Sequence, residues 1–246
     1  MNIYTNPNLY DAIHRQYSAD IDFISYWAKR ISGTVLELAA GTGRLGLPLV
    51  EVGLDYTGLE LSPEFVKTGN ENLSSFPNGN IIHGDMRSFN LERQFQFVFI
   101  GFNSFLHNYT DDDAISCLKS VRQHLKTDGR FLVSVFIPDP SFLYRETDKL
   151  YPVLEEFEYS GHICSIKETN RYDEETEINH LTWYLFRDEK QDPNPYHFDL
   201  RMFYPDTMDR LISDAGLTIY DKFGDYENNP LSEESNLQIY LCGLNH

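Results

Sequence analysis

Cysteine is scarce in this chain: three residues in 246, Cys117, Cys164 and Cys242, odd in number and far apart. No CxxC spacing occurs, which argues against a disulfide framework or a metal centre and suits a reducing compartment. Basic residues are also few, with 20 Lys plus Arg against 38 Asp plus Glu and a formal net charge of −18. A surface that acidic repels phosphate backbones and anionic bilayers, so nucleic acid and membrane are disfavoured as partners. Long apolar runs are missing. The longest stretches, 97–102 and 131–137, fall far short of the roughly 20 residues that a spanning helix needs. The opening stretch MNIYTNPNLYDAIHR has no basic start leading into an apolar run, so no signal peptide is expected. These absences set the expectation of a cytoplasmic protein. There are no repeats and no low-complexity tracts.

What is present is enough to bury a core. Hydrophobic residues make up 41% and charged residues 24%, outside the disordered range. The length predicts one elaborated domain, or a core with an insertion. Aromatics reach 14%, which favours an aromatic-lined pocket or interface.

Apolar periodicity predicts a helix over 21–31, on Phe23, Ile24, Trp27, Ala28 and Ile31, stopped by Gly33. Strand 35–39, a glycine break and helix 45–52 follow. Strand 56–61, helix 63–73, strands 81–83 and 95–99, helix 111–125 and strand 130–137 continue the alternation, which argues for a parallel α/β sheet. The acidic run 111–113 suits the start of its helix. After Pro138 and Pro140 the pattern changes. Segments 163–172, 178–187 and 196–204 read as antiparallel strands parted by turn chemistry. Helix 205–215, ended by Gly216, and strands 217–223 and 237–242 close the chain.

Gly41-Thr42-Gly43 lies between a predicted strand and a predicted helix. Glycine permits a sharp turn and close approach of a ligand to the main chain, and a helix N-terminus favours an anionic group. Gly41 to Gly46 also fits the dinucleotide pattern G-x-G-x-x-G. Glu60 closes the strand of Tyr56-Thr57-Gly58-Leu59; a carboxylate there can accept from both hydroxyls of a ribose. Gly84-Asp85-Met86 follows the strand of Ile81-Ile82-His83. Asp85 can accept from an adenine amino group, and Met86 can pack on the purine. Adjacent parallel strands bring these carboxyl ends into one crevice, so a nucleoside-like ligand is expected. Glu37, four residues before Gly41, is expected near the crevice mouth. There it repels a pyrophosphate and suits the ammonium and sulfonium charges of S-adenosylmethionine. An ion pair to a neighbouring helix is the other use for it.

The segment Val35-Leu36-Glu37-Leu38-Ala39-Ala40-Gly41-Thr42-Gly43 resembles motif I of the class I S-adenosylmethionine-dependent methyltransferases. Gly58-Leu59-Glu60-Leu61-Ser62 resembles their ribose-binding motif and Gly84-Asp85-Met86 their adenine-binding motif. The likeness covers 33–137 well and the segment from Phe203 more loosely. It implies an α/β fold, a Rossmann-like seven-stranded sheet with helices on both faces and an antiparallel β insertion before the last helix. It implies S-adenosyl-L-methionine as cofactor and S-adenosyl-L-homocysteine as product. Cofactor contacts are then expected from Glu37, Ala39, Gly41 and Gly43 in the first motif and Glu60 and Leu61 in the second. Asp85, Met86 and Phe102 follow further on. A single methyltransferase domain is expected over 1–246. Its parts are an N-terminal helical cap (1–32), a cofactor core (33–137), an insertion serving as acceptor lid or homodimer contact (138–204) and a closing helix and strand pair (205–246).

A finer likeness, to the antibiotic deoxysugar N,N-dimethyltransferases, rests on Tyr10-Asp11-Ala12-Ile13-His14, Gly84-Asp85-Met86-Arg87 and Phe102-Asn103-Ser104-Phe105-Leu106-His107. In that group a tyrosine at the position of Tyr10 and a histidine at that of His107 line the methyl-transfer site. The segment Ser134-Val135-Phe136-Ile137-Pro138 departs from the group. His107 is the candidate base, since imidazole titrates near neutrality. Tyr10, His14 and Tyr17 lie on a segment expected to close over the cofactor, and Asn103 is expected near the cofactor or acceptor. The expected reaction is methyl transfer to a small molecule, with N-methylation of an amine ahead of O-methylation. A nicotinamide-dependent oxidoreductase and a non-catalytic cofactor-binding protein are the alternatives, and RNA methylation is set back by the charge.

Overall fold

The computed structural model describes residues 1–245. In chain order come a 3-10 turn (Ile3–Thr5), α1 (Pro7–His14), α2 (Ala19–Ile31), β1 (Thr34–Leu38), α3 (Gly46–Glu51), β2 (Asp55–Glu60), α4 (Pro63–Asn72), β3 (Gly79–His83) and β4 (Phe95–Ile100). A second 3-10 turn (Ser104–His107), α5 (Asp111–His124), β5 (Leu125–Phe136) and α6 (Pro140–Leu143) follow. Six strands come next: β6 (Tyr151–Pro152), β7 (Phe157–Tyr159), β8 (His162–Asp173), β9 (Ile178–Arg187), β10 (Lys190–Gln191) and β11 (Tyr196–Arg201). The chain ends with α7 (Pro205–Asp214), β12 (Leu217–Phe223) and β13 (Leu237–Leu244).

Two compact units form among the described residues, 18–137 with 203–245, and 1–17 with 138–202. The larger is a seven-stranded sheet in the order β12-β13-β5-β4-β1-β2-β3. Strands β5, β4, β1, β2 and β3 run parallel, and β13 pairs antiparallel with both β5 and β12. Strand β1 lies between β2 and β4, so the strand order reverses beside it. Crossovers between parallel strands are right-handed as a rule, which on either side of such a reversal sends the helices to opposite faces and leaves a crevice at the carboxyl ends. The central strands are apolar on both sides, as a sheet covered by helices requires: Val35, Leu36, Phe97, Phe99 and Leu132 are all buried. Ser62 caps α4 and Thr110 caps α5, each accepting a hydrogen bond from the backbone three residues on, and the three aspartates at 111–113 fill the first turn of α5. They complement the positive end of the helix dipole.

The smaller unit is a twisted antiparallel sheet built on β8 and β9, which pair over ten residues from Cys164–Arg187 to Asp173–Ile178. Strands β10 and β11 pair with β9, and β6 and β7 pair with β8. Its apolar cluster takes Phe157, Cys164, Ile166, Trp183 and Leu185 from the sheet and Ile3, Leu9, Ala12 and Ile13 from the chain start.

That division corrects the expected cap over 1–32. The cap splits at Tyr17 and Ser18, and the reason is where each half buries its apolar face. Residues of α1 pack in the cluster of the smaller unit, whereas Phe23, Ile24 and Ala28 of α2 pack in the core of the larger one. The insertion ends at Met202 instead of 204. Strand β5 also starts earlier than expected: it follows α5 with no intervening loop, and a register shift against β4 between Phe95 and Phe97 absorbs the extra residues.

Candidate active site

The carboxyl ends of β1, β2 and β3 meet in the larger unit. The backbone of Ala40 donates to Leu59 O at 3.0 Å, and that of Gly84 donates to Glu60 O at 2.9 Å. These bonds tie the loop after β1, the tip of β2 and the start of the 84–86 segment into one patch. The glycine loop turns through Gly41 at φ +59° and Gly43 at φ +84°, conformations that disfavour any side chain. Beneath it Gly69 of α4 brings helix and loop close: a Cβ there would sit 3.3 Å from Gly41 O and 2.4 Å from Ile81 Cδ1. Above Gly41 there is room, since a Cβ would meet nothing nearer than Phe65 Cδ1 at 3.9 Å. Ala39 also adopts a left-handed φ of +55°.

Glu60 fastens this loop. Its Oε2 accepts from Gly41 N at 2.9 Å and its Oε1 from Ser62 N at 2.8 Å. Burial raises its pKa above the ordinary carboxylate value, and the backbone donors of Ser62, Gly41 and Leu61 oppose that rise. A carboxylate has about four lone-pair sites, so beside these backbone donors one acceptor position remains for a ribose hydroxyl. Beside it Leu61 is 57% exposed, an apolar side chain at a strand tip that a planar base can cover. Asp85 makes a close pair with Arg87, 2.6 Å from Oδ2 to Nη2, and Arg87 reaches Asp113 at 3.4 Å. The Arg87 bonds hold Asp85 below the usual carboxylate range, against some desolvation, so it stays an acceptor at neutral pH. Met86 is half-buried next to it.

Glu37 lies elsewhere than the crevice mouth expected for it. It is only 4% exposed, and Tyr56 Oη donates to its Oε2 at 2.6 Å. Burial pushes its carboxyl up to about 8, with the Tyr56 bond pulling the other way. Asn103, at φ +63°, accepts from Phe136 N at 2.8 Å and so links the end of β4 to the end of β5. His107 ends the 3-10 turn behind Asn103 and is half-buried, its ring 6.4 Å from that of Tyr109. Tyr10 and Tyr17 belong to the smaller unit. The ring of Tyr10 lies 4.3 Å from His14 and 5.9 Å from Tyr4, inside that unit's aromatic cluster.

Sequence reasoning missed one element of the site. Asp20, in the first turn of α2 and with no exposed side chain, takes a bidentate bond from Arg44 at 2.8 and 2.6 Å. The same guanidinium lies 4.7 Å from the ring centre of Phe102. Arg44 thus joins the glycine loop to α2 and to the segment after β4. The available signal was an arginine directly after the second glycine of the loop.

The loop, the Glu60 carboxylate and an exposed apolar tip fit an adenosine, and the space over Gly41 leaves its attached chain a way in. Comparison with known proteins agrees. Residues 35–129 match the family of methyltransferase domains. A putative methyltransferase, YqeM, of Bacillus subtilis is 25% identical over 212 residues, covering 82% of this chain and 81% of that protein. A glycine/sarcosine/dimethylglycine N-methyltransferase of Actinopolyspora halophila is 26% identical over 96% of this chain, which spans 40% of that longer protein. The solved sugar N-methyltransferase KedS8 of a Streptoalloteichus species superposes with a TM-score of 0.74 over 96% of this chain and 93% of its own, at 16% identity, a likeness of fold.

The fold is that of the class I methyltransferases, and residues 35–129 carry the match to the methyltransferase domain. The chain is an enzyme of that kind, with S-adenosylmethionine as its cofactor, and the expectation of a nicotinamide-dependent oxidoreductase is set aside.

Proposed function

We propose that the enzyme methylates an amine nitrogen of a small molecule, with His107 as the base. The observation that carries this reading is the position of His107, half-buried on the 3-10 turn that follows β4, next in the sheet to the motif-bearing β1. The cofactor supplies a methyl group already activated on a sulfonium sulfur. The chain must hold the acceptor lone pair in line with it at about 3 Å and keep water out. An amine arrives protonated at neutral pH and has no lone pair to offer, so a base must remove that proton first. Imidazole suits the task, because its ordinary pKa lies near the working pH. The net charge of −18 attracts a cationic amine and repels a phosphorylated one. The N-methyltransferase of Actinopolyspora halophila and the sugar N-methyltransferase, by their names, modify nitrogen, which supports the same acceptor class.

The cofactor contacts in this reading are Glu60 for the ribose, Asp85, Leu61 and Met86 for the base, and the loop from Ala39 to Gly43 for the remaining chain. Phe102 keeps the cofactor role given by the resemblance. The test is transfer of an isotopically labelled methyl group to matched panels of small amines and alcohols, read by mass spectrometry. Product is expected from amines, and His107→Ala should slow single-turnover transfer about 100-fold or more while S-adenosylhomocysteine still binds as in the wild type. Product from alcohols alone would replace the amine by a hydroxyl acceptor. Transfer at the full rate in the variant would remove His107 from the reaction.

A further inference from the structure

Glu37 and Tyr56 form a buried acid–phenol pair under the glycine loop, and neither motif reading nor the amine reading gives the phenol a part. Tyr56, on β2, is fully buried, and Glu37, on β1 opposite Gly58 and so two positions along the strand pair, is buried too. Glycines hold open the slot for the phenol. A Cβ on Gly46 would lie 2.3 Å from Tyr56 Cζ and 2.5 Å from its Oη, and one on Gly58 would lie 3.0 Å from the Oη. The ring is thus fixed with its hydroxyl aimed at Glu37 Oε2, 2.6 Å away.

The charged groups that face Glu37 come from three elements. Arg44 of the loop favours its ionisation, but that guanidinium is held in a bidentate bond by Asp20 of α2. Asp20 itself and Glu60 at the tip of β2 both oppose a negative charge on Glu37. Burial outweighs the Tyr56 bond and Arg44, and the carboxyl is pushed up to about 8. Without ligand the acid therefore keeps its proton at neutral pH. A cation brought to the loop above it changes that balance, because in a low-dielectric surround a nearby positive charge favours the carboxylate.

We propose that Tyr56 is a positioning residue that holds Glu37 as a charge-responsive acid, so that binding of the cationic cofactor at the glycine loop expels the Glu37 proton to solvent. The inference rests on the cofactor site described above. In the step one O–H bond of Glu37 breaks, the proton passes to buffer, and the Tyr56 hydroxyl remains donor to the carboxylate that forms. No group changes oxidation state. The device makes cofactor affinity rise with pH below neutrality, by up to about tenfold per pH unit while Glu37 is still protonated in the free enzyme.

Calorimetric titration tests this with S-adenosylmethionine and S-adenosylhomocysteine in two buffers of different ionisation enthalpy, near pH 7. The wild type is expected to release close to one proton per ligand bound. Release with both ligands assigns the trigger to the shared amino-acid ammonium, and release with S-adenosylmethionine alone assigns it to the sulfonium; both support the proposal. Glu37→Gln should bind with no proton release and a flat pH profile. Tyr56→Phe should bind more weakly and move the rise in affinity to higher pH; circular dichroism verifies its fold, and Glu37→Gln serves if it does not fold. Wild-type binding without proton release overturns the proposal and leaves the cofactor site standing. Failure of the wild type to bind either ligand overturns the cofactor site itself.

Discussion

Replacing Asp20 by Asn should cost the larger unit about 3 kcal/mol, the low end for removing one partner of a buried ion pair. The low end applies because the two ends differ: the Asp20 side chain has no exposure, whereas that of Arg44 keeps 25% and water can reach part of it. Two charge-assisted bonds at 2.8 and 2.6 Å are disrupted, and the guanidinium is left against the Phe102 ring without its counter-charge. For a chain of this size the loss corresponds to roughly 6–12 °C in Tm. Arg44→Met in the Asp20→Leu background should recover most of it, since an apolar pair of similar volume avoids the desolvation cost. Urea denaturation of the four proteins of this cycle measures the coupling directly. S-adenosylhomocysteine titration should show at least about a tenfold weaker Kd for Asp20→Asn, because the glycine loop loses its anchor to α2. A loss below about 0.5 kcal/mol, inside the range of an exposed pair, would refute the view that this pair holds the loop.

Three further outcomes follow from the same geometry. Glu60→Gln turns an acceptor into a donor facing either Gly41 N or Ser62 N, so it should cost about 2 kcal/mol in stability and weaken S-adenosylhomocysteine at least tenfold; calorimetry with unchanged affinity would contradict it. Ala39→Gly should stabilise by roughly 0.5–1 kcal/mol, the left-handed cost to alanine less the added entropy of glycine, visible as a raised Tm. The third concerns pH. Glu37 and Glu60 both have raised folded pKa values, so the stability they contribute is complete below the usual carboxylate value and is lost as pH rises through the folded one. For Glu37 that window runs from the ordinary carboxyl value of 4.5 to about 8. The ligand-free wild type should therefore lose stability from mildly acidic pH to pH 8, with a slope from Glu37 of up to about 1.4 kcal/mol per pH unit. Asp85, shifted the other way, acts only below that window. A Glu37→Gln variant with the wild-type slope would show that the acid does not titrate there.

Much of the cofactor core was legible because its signals are local. Gly41 and Gly43 mark a turn that needs φ above zero, and Glu60 and Asp85 stand directly after apolar strand runs. Their meeting follows from parallel pairing alone. Residues whose partners lie on another element were not legible. The split at Tyr17 depends on which cluster buries Ile13 and which buries Phe23, and both sit in equally good helical patterns. The Asp20–Arg44 bond spans 24 residues, and a lone aspartate in a helical first turn reads as a dipole complement. Glu37 was placed correctly on its strand and wrongly at the crevice mouth, because strand alternation gives a face but not the depth at which a carboxyl stops. Tyr56 was read only as strand, since its slot is made by Gly46 and Gly58, ten residues before it and two after.

The central claim is that the tips of β1, β2 and β3 hold the cofactor. An amide-resolved NMR titration with S-adenosylhomocysteine tests it most directly. Shifts concentrated in residues 39–46, 60–62 and 84–86, with saturation at one equivalent, are the predicted result. Saturable binding with those amides unmoved would contradict it.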